Sequence, residues 1–389
     1  MAGSRSISTA VVFSLALNLR PAVTSLGSAL ADVSVARNLT AAVLVALPLW
    51  AIGLGGWATP WVHSRLGTHR TVTLSLATLG VSLVVRVLGG QVLLVAGTAL
   101  ACLAIALLGT LLPLLAKGFS RAYTAALGIG STAGALVTPA VVTSASWQAG
   151  LAVWAFVALL AQQVWSRTHA SVVPPTVSRS SRSWALMVHF GLLSAVTFLV
   201  MGWFPAILRG AGVPASYAGA CLALSMAMGL PMMWLVPGWT LRWRNQTLLV
   251  VILATPNIAG VTGLLVAPGL APWLWATLTG LGMGSLAFAL TTIGMRSTDT
   301  GLSALVQGYG YLLAGVCVLA CGWLHWQTGT WRAPLVLALA VLLGQIVSGY
   351  RAVHDCSAGD RIVRAGRLGD RAGADHGGLG CARPGHAPG

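Results

Sequence analysis

Twelve stretches of about 20 apolar residues, separated by short polar segments, dominate the hydrophobic pattern of this chain. They cover residues 7–27, 40–62, 71–89, 91–116, 122–145, 147–165, 184–208, 217–241, 246–267, 272–294, 303–325 and 331–350. Each stretch is long enough for one helix to cross the hydrocarbon core of a bilayer. The stretches are too long, and alternate too little, to be barrel strands. The pattern predicts an all-α membrane protein with twelve transmembrane helices, numbered here as spans 1 to 12.

Composition agrees with a membrane protein. The 389 residues are 57% hydrophobic and only 7% charged, whereas a soluble domain carries about 25% charged residues. The net charge of +16 comes from basic residues scattered between the apolar stretches. Because they form no continuous basic face, the sequence predicts a lipid bilayer, and no nucleic acid, as a partner.

The distribution of charge predicts the orientation. With the N-terminus inside, the cytoplasmic segments carry twelve Lys and Arg residues, and the outer segments carry three: Arg37, Arg209 and Arg332. Positive charge favours the cytoplasmic side of membrane proteins. We therefore predict a multi-pass protein of the cytoplasmic membrane with both termini in the cytoplasm.

The longest internal linker divides the spans into two sets of six. It covers residues 166–183 and contains two prolines and three arginines. Pro48-Leu49-Trp50 in span 2 is similar to Pro231-Met232-Met233-Trp234 in span 8, which suggests a parallel internal repeat. The sequence predicts an N-terminal six-helix bundle at 1–165, a cytoplasmic linker, a pseudo-symmetric C-terminal bundle at 184–350, and a disordered tail at 351–389.

Span 1 contains an amide, a charge and a proline in sequence, at Asn18, Arg20 and Pro21. A guanidinium inside the bilayer costs roughly 2.5–3.5 kcal/mol, so such a charge usually marks a transport pathway. Pro21 cannot donate to the carbonyl of Leu17, which predicts a kink. We interpret Arg20 as an anion-binding group, with extension to the outer interface as the alternative. Arg86, three residues from the end of span 3, is predicted to extend to the interface.

Further polar residues are candidates for the same substrate site. Asn18 and Thr24 are predicted to lie near the site and are included among the substrate-binding residues. Thr24 lies one turn after Arg20 and shares its helix face, whereas Asn18 points elsewhere and is expected to brace a neighbouring helix. Gln307 and Tyr311 lie four residues apart on span 11. They are interpreted either as a ligand-facing pair or as partners of interhelical hydrogen bonds.

The segment Asn18–Ala22, followed by Thr24-Ser25 and Gly27, resembles the first helix of cyanate/2-nitroimidazole (CynX/NimT) transporters of the major facilitator superfamily. Similar segments at the expected places are Leu112–Lys117, Ile293–Arg296, Gln307–Leu312 and the loop Arg65–Arg70. The resemblance implies the major facilitator fold. It also implies gating or cavity roles for Pro21, Lys117 and Arg296, although Lys117 and Arg296 also fit the pattern of cytoplasmic topology charges.

Several classes of function are excluded by missing residues. No Asp or Glu occurs between Asp32 and Asp299, so the spans offer no carboxylate for proton coupling. The absence of Glu excludes an H-E-x-x-H zinc protease, and no G-x-S-x-G motif is present. Cys317 and Cys321 lack further metal ligands nearby. We predict no enzyme activity, no metal and no cofactor, with facilitated transport or coupling through the charge of the solute.

The sequence thus predicts a monomeric secondary transporter that moves a small anionic or polar solute by alternating access. The resemblance implies a cyanate-like or nitroimidazole-like solute. Four positions that are polar in the family pattern are Thr110, Leu193, Met226 and Met283 here. For this reason a non-transporting or sensor-like descendant stays open as an alternative, as does a multidrug-type efflux permease.

Overall fold

The computed structural model describes residues 7–33, 39–116, 120–168, 184–243, 245–296 and 300–375. Within these ranges, eleven helical segments are long and apolar enough to cross a membrane. Their bounds are Thr9–Ala29, Leu39–Val85, Gly90–Leu115, Ala122–Ser144, Trp147–Ser166, Trp184–Gly210, Ala215–Arg242, Gln246–Val266, Pro272–Ile293, Leu305–Thr328 and Arg332–Val353.

The longest segment, Leu39–Val85, consists of two spans. Its 47 residues would make a helix about 70 Å long, roughly twice the hydrocarbon thickness of a bilayer. The backbone leaves the helical region at Gly67, with φ 72° and ψ 170°, a conformation that glycine adopts without strain. The chain therefore has the twelve predicted spans, with spans 2 and 3 joined at Gly67.

Three spans are interrupted by a non-helical residue or turn. Span 1 comprises the helices Thr9–Leu17 and Pro21–Ala29, and span 6 comprises Trp147–Ala152 and Trp154–Ser166. Span 10 comprises Pro272–Gly282 and Gly284–Arg296. Only the first of these interruptions coincides with a proline that the sequence identified.

The final helix is longer than its apolar stretch. It runs from Arg332 to Asp375, past the end of span 12, and disorder of the tail at 351–389 stays a prediction. That segment has few apolar residues, but it is rich in Ala and Arg, which favour helix. The linker residues 169–183 and the tail residues 376–389 lie outside the described ranges.

The spans form two six-helix lobes whose contacts are related by two-fold pseudo-symmetry. Span 2 packs against span 11, and span 5 packs against span 8. Moving six spans along the chain converts the first pair into the second, as expected for a repeated unit. A shared core also joins the lobes, with Leu26, Leu44, Phe204, Leu222 and Val318 among its buried members.

The molecule has two membrane faces, named here by the chain ends. Span 1 begins at the terminal face, where the turn at Gly67 and the end of span 6 also lie. Span 1 ends at the distal face, near Asp32. Span 7 runs in the same direction, from Trp184 at the terminal face to Gly210 at the distal face.

Candidate functional site

The site is centred on the interruption of span 1. The first helix ends at Leu17, and the amides of Asn18 and Leu19 bond to carbonyls only three residues back, at 3.2 and 3.1 Å. The second helix begins at Pro21, with Arg20 as its N-cap residue. Pro21 has no amide hydrogen to continue the helix. The predicted kink is thus present, and it leaves the carbonyl of Leu17 without its usual donor.

Neighbouring helices hold both sides of this interruption. Gly130 of span 5 lies against it, and a methyl group on Gly130 would be 2.6 Å from the Leu17 carbonyl oxygen. Asn18 is buried, and its Nδ2 donates to the carbonyls of Ser14 at 2.8 Å and of Val157 in span 6 at 3.4 Å. Asn18 therefore braces span 6, and its contact with the substrate stays a prediction.

Arg20 extends from the interruption across to the second lobe. Its Nη1 donates to Sδ of Met201 at 3.6 Å, and its Cζ lies 6.0 Å from the ring centroid of Phe198. Phe198 is near the middle of span 7, about 20 Å from either end at 1.5 Å per residue. The guanidinium is half-buried and does not extend to an interface. Among the described residues it has no carboxylate partner.

Aromatic side chains from both lobes lie near the guanidinium. The ring of Tyr311 packs edge to face against Phe190 at 5.1 Å and against Phe198 at 6.2 Å between centroids. The phenol groups of Tyr311 and of Tyr123 in span 5 both lie within electrostatic range of Arg20. The structure thus brings Arg20 and Tyr311 together at the lobe interface, and it adds Tyr123, Phe198 and Phe190.

The other predicted substrate-site residues are placed differently. Thr24 is fully buried, its hydroxyl donates to the carbonyl of Arg20 at 3.2 Å, and it packs against Gly134 of span 5. Gln307 is half-buried, one helical turn from Tyr311 toward the terminal face. Substrate contact by either residue stays a prediction.

The two predicted gating charges are Lys117 and Arg296. Lys117 lies outside the described residues, between the helices that end at Leu115 and begin at Ser120. Arg296 is the last residue of span 10 at the terminal face, and the structure describes its backbone only. Gating by Lys117, Arg296 or Pro21 stays a prediction.

Arg86 contradicts the expectation that it extends to the interface. It is 1% exposed and donates to the carbonyls of Ala22 at 3.3 Å and Leu151 at 2.9 Å, with the Ser25 hydroxyl at 3.5 Å. Leu151 lies two residues before the interruption of span 6 at Val153. Oxygen acceptors offered by two interrupted spans stabilise the buried charge, and they could not be seen from its distance to the end of its own span.

A small hollow lies beside Phe198, the aromatic neighbour of Arg20, between the lobes. It is lined by Val23, Leu44, Pro48 and Phe198, among others, and its volume of about 10 Å³ has room for roughly one water molecule. None of the residues that line it has a polar side chain. The hollow thus lies where spans 1, 2 and 7 meet.

Sequence reasoning missed Tyr123, Phe198 and Met201. Nothing in a continuous apolar stretch distinguishes the phenylalanine or methionine that faces the other lobe. Tyr123 could have been found, because it lies seven residues before Gly130 and eleven before Gly134, on the same helix face. That face packs against span 1.

Comparison with known proteins identifies the family. The chain is 32% identical over 376 residues to the uncharacterized transporter YycB of Bacillus subtilis (strain 168), with 89% of this chain and 93% of that protein covered. It is 29% identical to the cyanate transport protein CynX of Escherichia coli (strain K12), covering 87% and 94% of the two chains. This chain belongs to the CynX/NimT family of major facilitator transporters. Another family member, the 2-nitroimidazole transporter of the same strain, is 28% identical and covers 93% of this chain and 98% of its own.

Solved structures independently support the major facilitator fold of this CynX/NimT-type chain. A partially occluded inward-open structure of the xylose transporter XylE from E. coli superposes with a TM-score of 0.70 at 12% identity, covering 88% and 96% of the two chains. A bacterial homologue of the human lysosomal transporter Spinster gives 0.69 at 13% identity, covering 89% and 95%. No family model matches the chain. The fold and the family together make this chain a secondary transporter and a multi-pass protein of the cell membrane.

Proposed function

We propose that this CynX/NimT-type protein moves a small anionic solute across the cytoplasmic membrane by alternating access, with Arg20 as the anion-binding group. One observation carries the proposal. The Arg20 guanidinium lies at mid-membrane between the lobes, with no carboxylate partner among the described side chains. A cation held there without a counter-ion favours an anion as its ligand.

Two features of the same place support an anion. Arg20 caps the second helix of span 1, and the N-terminus of a helix carries a partial positive charge that adds to the guanidinium. The phenol groups of Tyr123 and Tyr311 supply hydrogen-bond donors and flat apolar surface nearby. A small anion such as the linear cyanate ion, or a flat nitroheterocycle whose nitro oxygens carry partial negative charge, fits this combination of charge and aromatic surface.

The proposed orientation places the terminal face in the cytoplasm. The positive charge of the segments at that face supports this assignment. One chain contributes all the residues of the candidate site, so we propose that the transport unit is a monomer.

Transport by purified protein in vesicles tests the proposal. The panel contains cyanate, small inorganic anions and nitroheterocycles, each given to vesicles with the wild-type protein, Arg20→Gln and Arg242→Gln. Arg242 is an exposed arginine at the end of span 8, so its replacement is the matched control. We expect at least one anion to be transported by the wild type and by Arg242→Gln, with about tenfold or greater loss in Arg20→Gln.

Two results would count against the proposal. If wild-type vesicles transport none of these solutes, the protein is better explained as a sensor-like descendant of a transporter. If Arg20→Gln transports an anion at the wild-type rate, the guanidinium does not hold the solute.

A further inference from the structure

An ion pair joins the two lobes at the distal face. Nη1 of Arg209 lies 2.8 Å from Oδ2 of Asp32, and the two side chains are 26% and 25% exposed. Asp32 follows the last helix of span 1, and Arg209 lies in the last turn of span 7. The pair therefore connects the first lobe to the second at the ends of two spans that run side by side.

No other acidic residue could take the place of Asp32 in this part of the chain. Asp32 is the first acidic residue in the sequence, and the next is Asp299, which the predicted topology puts at the opposite face. Arg209 thus has a single carboxylate within the membrane-spanning region to pair with. A charge balance this sparse makes the pair a specific contact rather than one of many interchangeable surface pairs.

The helices beneath the pair are in close contact. Gly27 of span 1 lies against the backbone of span 7, and a methyl group there would be 3.1 Å from Cα of Gly202 and closer still to the Met201 carbonyl. Gly202 in turn packs against Val45 of span 2. In this structure the distal ends of the lobes are closed, and opening that face requires these helices to separate.

The terminal half of span 1 has different neighbours. Its helix, Thr9–Leu17, packs chiefly against spans 4, 5 and 6 of its own lobe, whereas Pro21–Ala29 also packs against span 7. The contact between spans 1 and 7 is therefore concentrated toward the distal face. An opening of that face would break the Asp32–Arg209 pair and the Gly27 contact together.

We infer that Asp32 and Arg209 are a pair of gating residues for transport, which stabilise the state closed at the distal face. Alternating access requires that state to form and to open in each cycle. A partly exposed ion pair stabilises its state only modestly. Its loss should therefore shift the ratio of distal-open to distal-closed molecules by about two- to fivefold without locking either state.

The test measures opening directly and needs no solute. Val45, which is 5% exposed between the lobes, is replaced by Cys in the full chain. The rate at which a maleimide labels that thiol in nanodiscs reports separation of the distal helices, after subtraction of labelling in protein that retains Val45. The same rate is then measured with Asp32→Asn, Arg209→Gln and the exchange Asp32→Arg with Arg209→Asp. Arg332→Gln is the control, because Arg332 is an exposed arginine at the same face.

We expect Asp32→Asn and Arg209→Gln to raise the labelling rate about two- to fivefold, the exchange to restore it, and Arg332→Gln to leave it unchanged. In protein that keeps both Asp32 and Arg209, raising the salt concentration from 0.1 to 1 M should raise the labelling rate as Asp32→Asn does, because salt screens a partly exposed ion pair. The same rise in salt should change the labelling rate of Asp32→Asn very little, because that variant has no ion pair to screen.

Wild-type labelling rates in both single variants would overturn the inference, as would an exchange variant that labels as fast as they do. The salt measurement uses the native pair, so the inference remains testable if a variant folds poorly. Because no transported solute is needed, failure here is distinguishable from failure of the proposed anion transport.

Discussion

Two arginines, Arg20 and Arg86, lie within the membrane-spanning part of the first lobe, and their surroundings differ. Arg86 is buried among oxygen acceptors of spans 1 and 6, whereas Arg20 faces the second lobe with a sulfur and an aromatic ring as neighbours. A guanidinium whose two terminal nitrogens both donate to fixed oxygens, as in Arg86, is held in place. One with donors left over can bind a ligand that has the opposite charge.

Replacing Arg86 should therefore affect stability first. Arg86→Met removes the donors to Ala22 and Leu151 and should lower the free energy of unfolding by about 1–3 kcal/mol. Arg86→Lys keeps the charge but loses the fork that spans both carbonyls, so we expect an intermediate loss. Thermal unfolding of the purified variants checks this order. An Arg86→Met protein as stable as the wild type would show that the buried bonds contribute nothing.

The residue scale also shows where prediction from sequence ends. A charge in an apolar stretch identified Arg20, because few residues of that kind are tolerated there. For Arg86 the distance to the end of its own span was misleading, because the carbonyls that hold its guanidinium belong to other spans. Phe198 and Met201 carried no signal at all, because any apolar residue satisfies the lipid environment.

At the scale of single helices, the interruption of span 1 depends on close packing by span 5. Gly130 and Gly134 both face this interruption. Gly130 lies against Leu17 and Pro21, and Gly134 lies against Thr24. The spacing of four residues between these glycines is typical of close helix packing, and the contacts with span 1 agree with it. Pro21 likewise predicted the kink. The interruption of span 10 at Met283, by contrast, follows no proline or charge.

Gly130→Ala should disturb this contact. Its methyl group would lie 2.6 Å from the Leu17 carbonyl and 3.3 Å from Cδ of Pro21, and a backbone carbonyl cannot move away as a flexible side chain can. We expect a loss of about 1–3 kcal/mol in stability together with slower transport. Gly109→Ala is the matched control, because nothing lies within 4 Å of its added methyl group. Equal stability and transport in the two variants would contradict the packing role of Gly130.

At the scale of the whole molecule, two lobes meet around a cationic site and are tied at one face by a single ion pair among the described residues. The two six-helix lobes could be predicted from the linker and the repeated segments. The contacts between the lobes could not be predicted, because sequence periodicity shows which face of a helix is polar or apolar but not which helix packs against that face. The pairing of span 1 with span 7 therefore needed the structure.

The energy source for transport is a property of this larger scale. The sequence has no acidic residue between Asp32 and Asp299, so we expect the charge of the solute itself to couple transport to the membrane potential. A potential of 100 mV is worth about 2.3 kcal/mol per charge, which corresponds to a gradient of roughly 50-fold for a monovalent anion. Vesicles with an imposed potential should accumulate the anion on the positive side. Accumulation driven by a pH gradient at zero potential would instead indicate proton coupling.

The central claim is that the Arg20 guanidinium holds the solute between the lobes, and direct binding tests it most closely. Titration calorimetry of the transported anion compares the wild-type protein with Arg20→Gln, using Arg242→Gln as the control. Because a charged hydrogen bond is worth about 1.5–3 kcal/mol, we predict that Arg20→Gln raises the dissociation constant by roughly 10- to 150-fold, with Arg242→Gln unchanged. An unchanged dissociation constant in Arg20→Gln would contradict the claim.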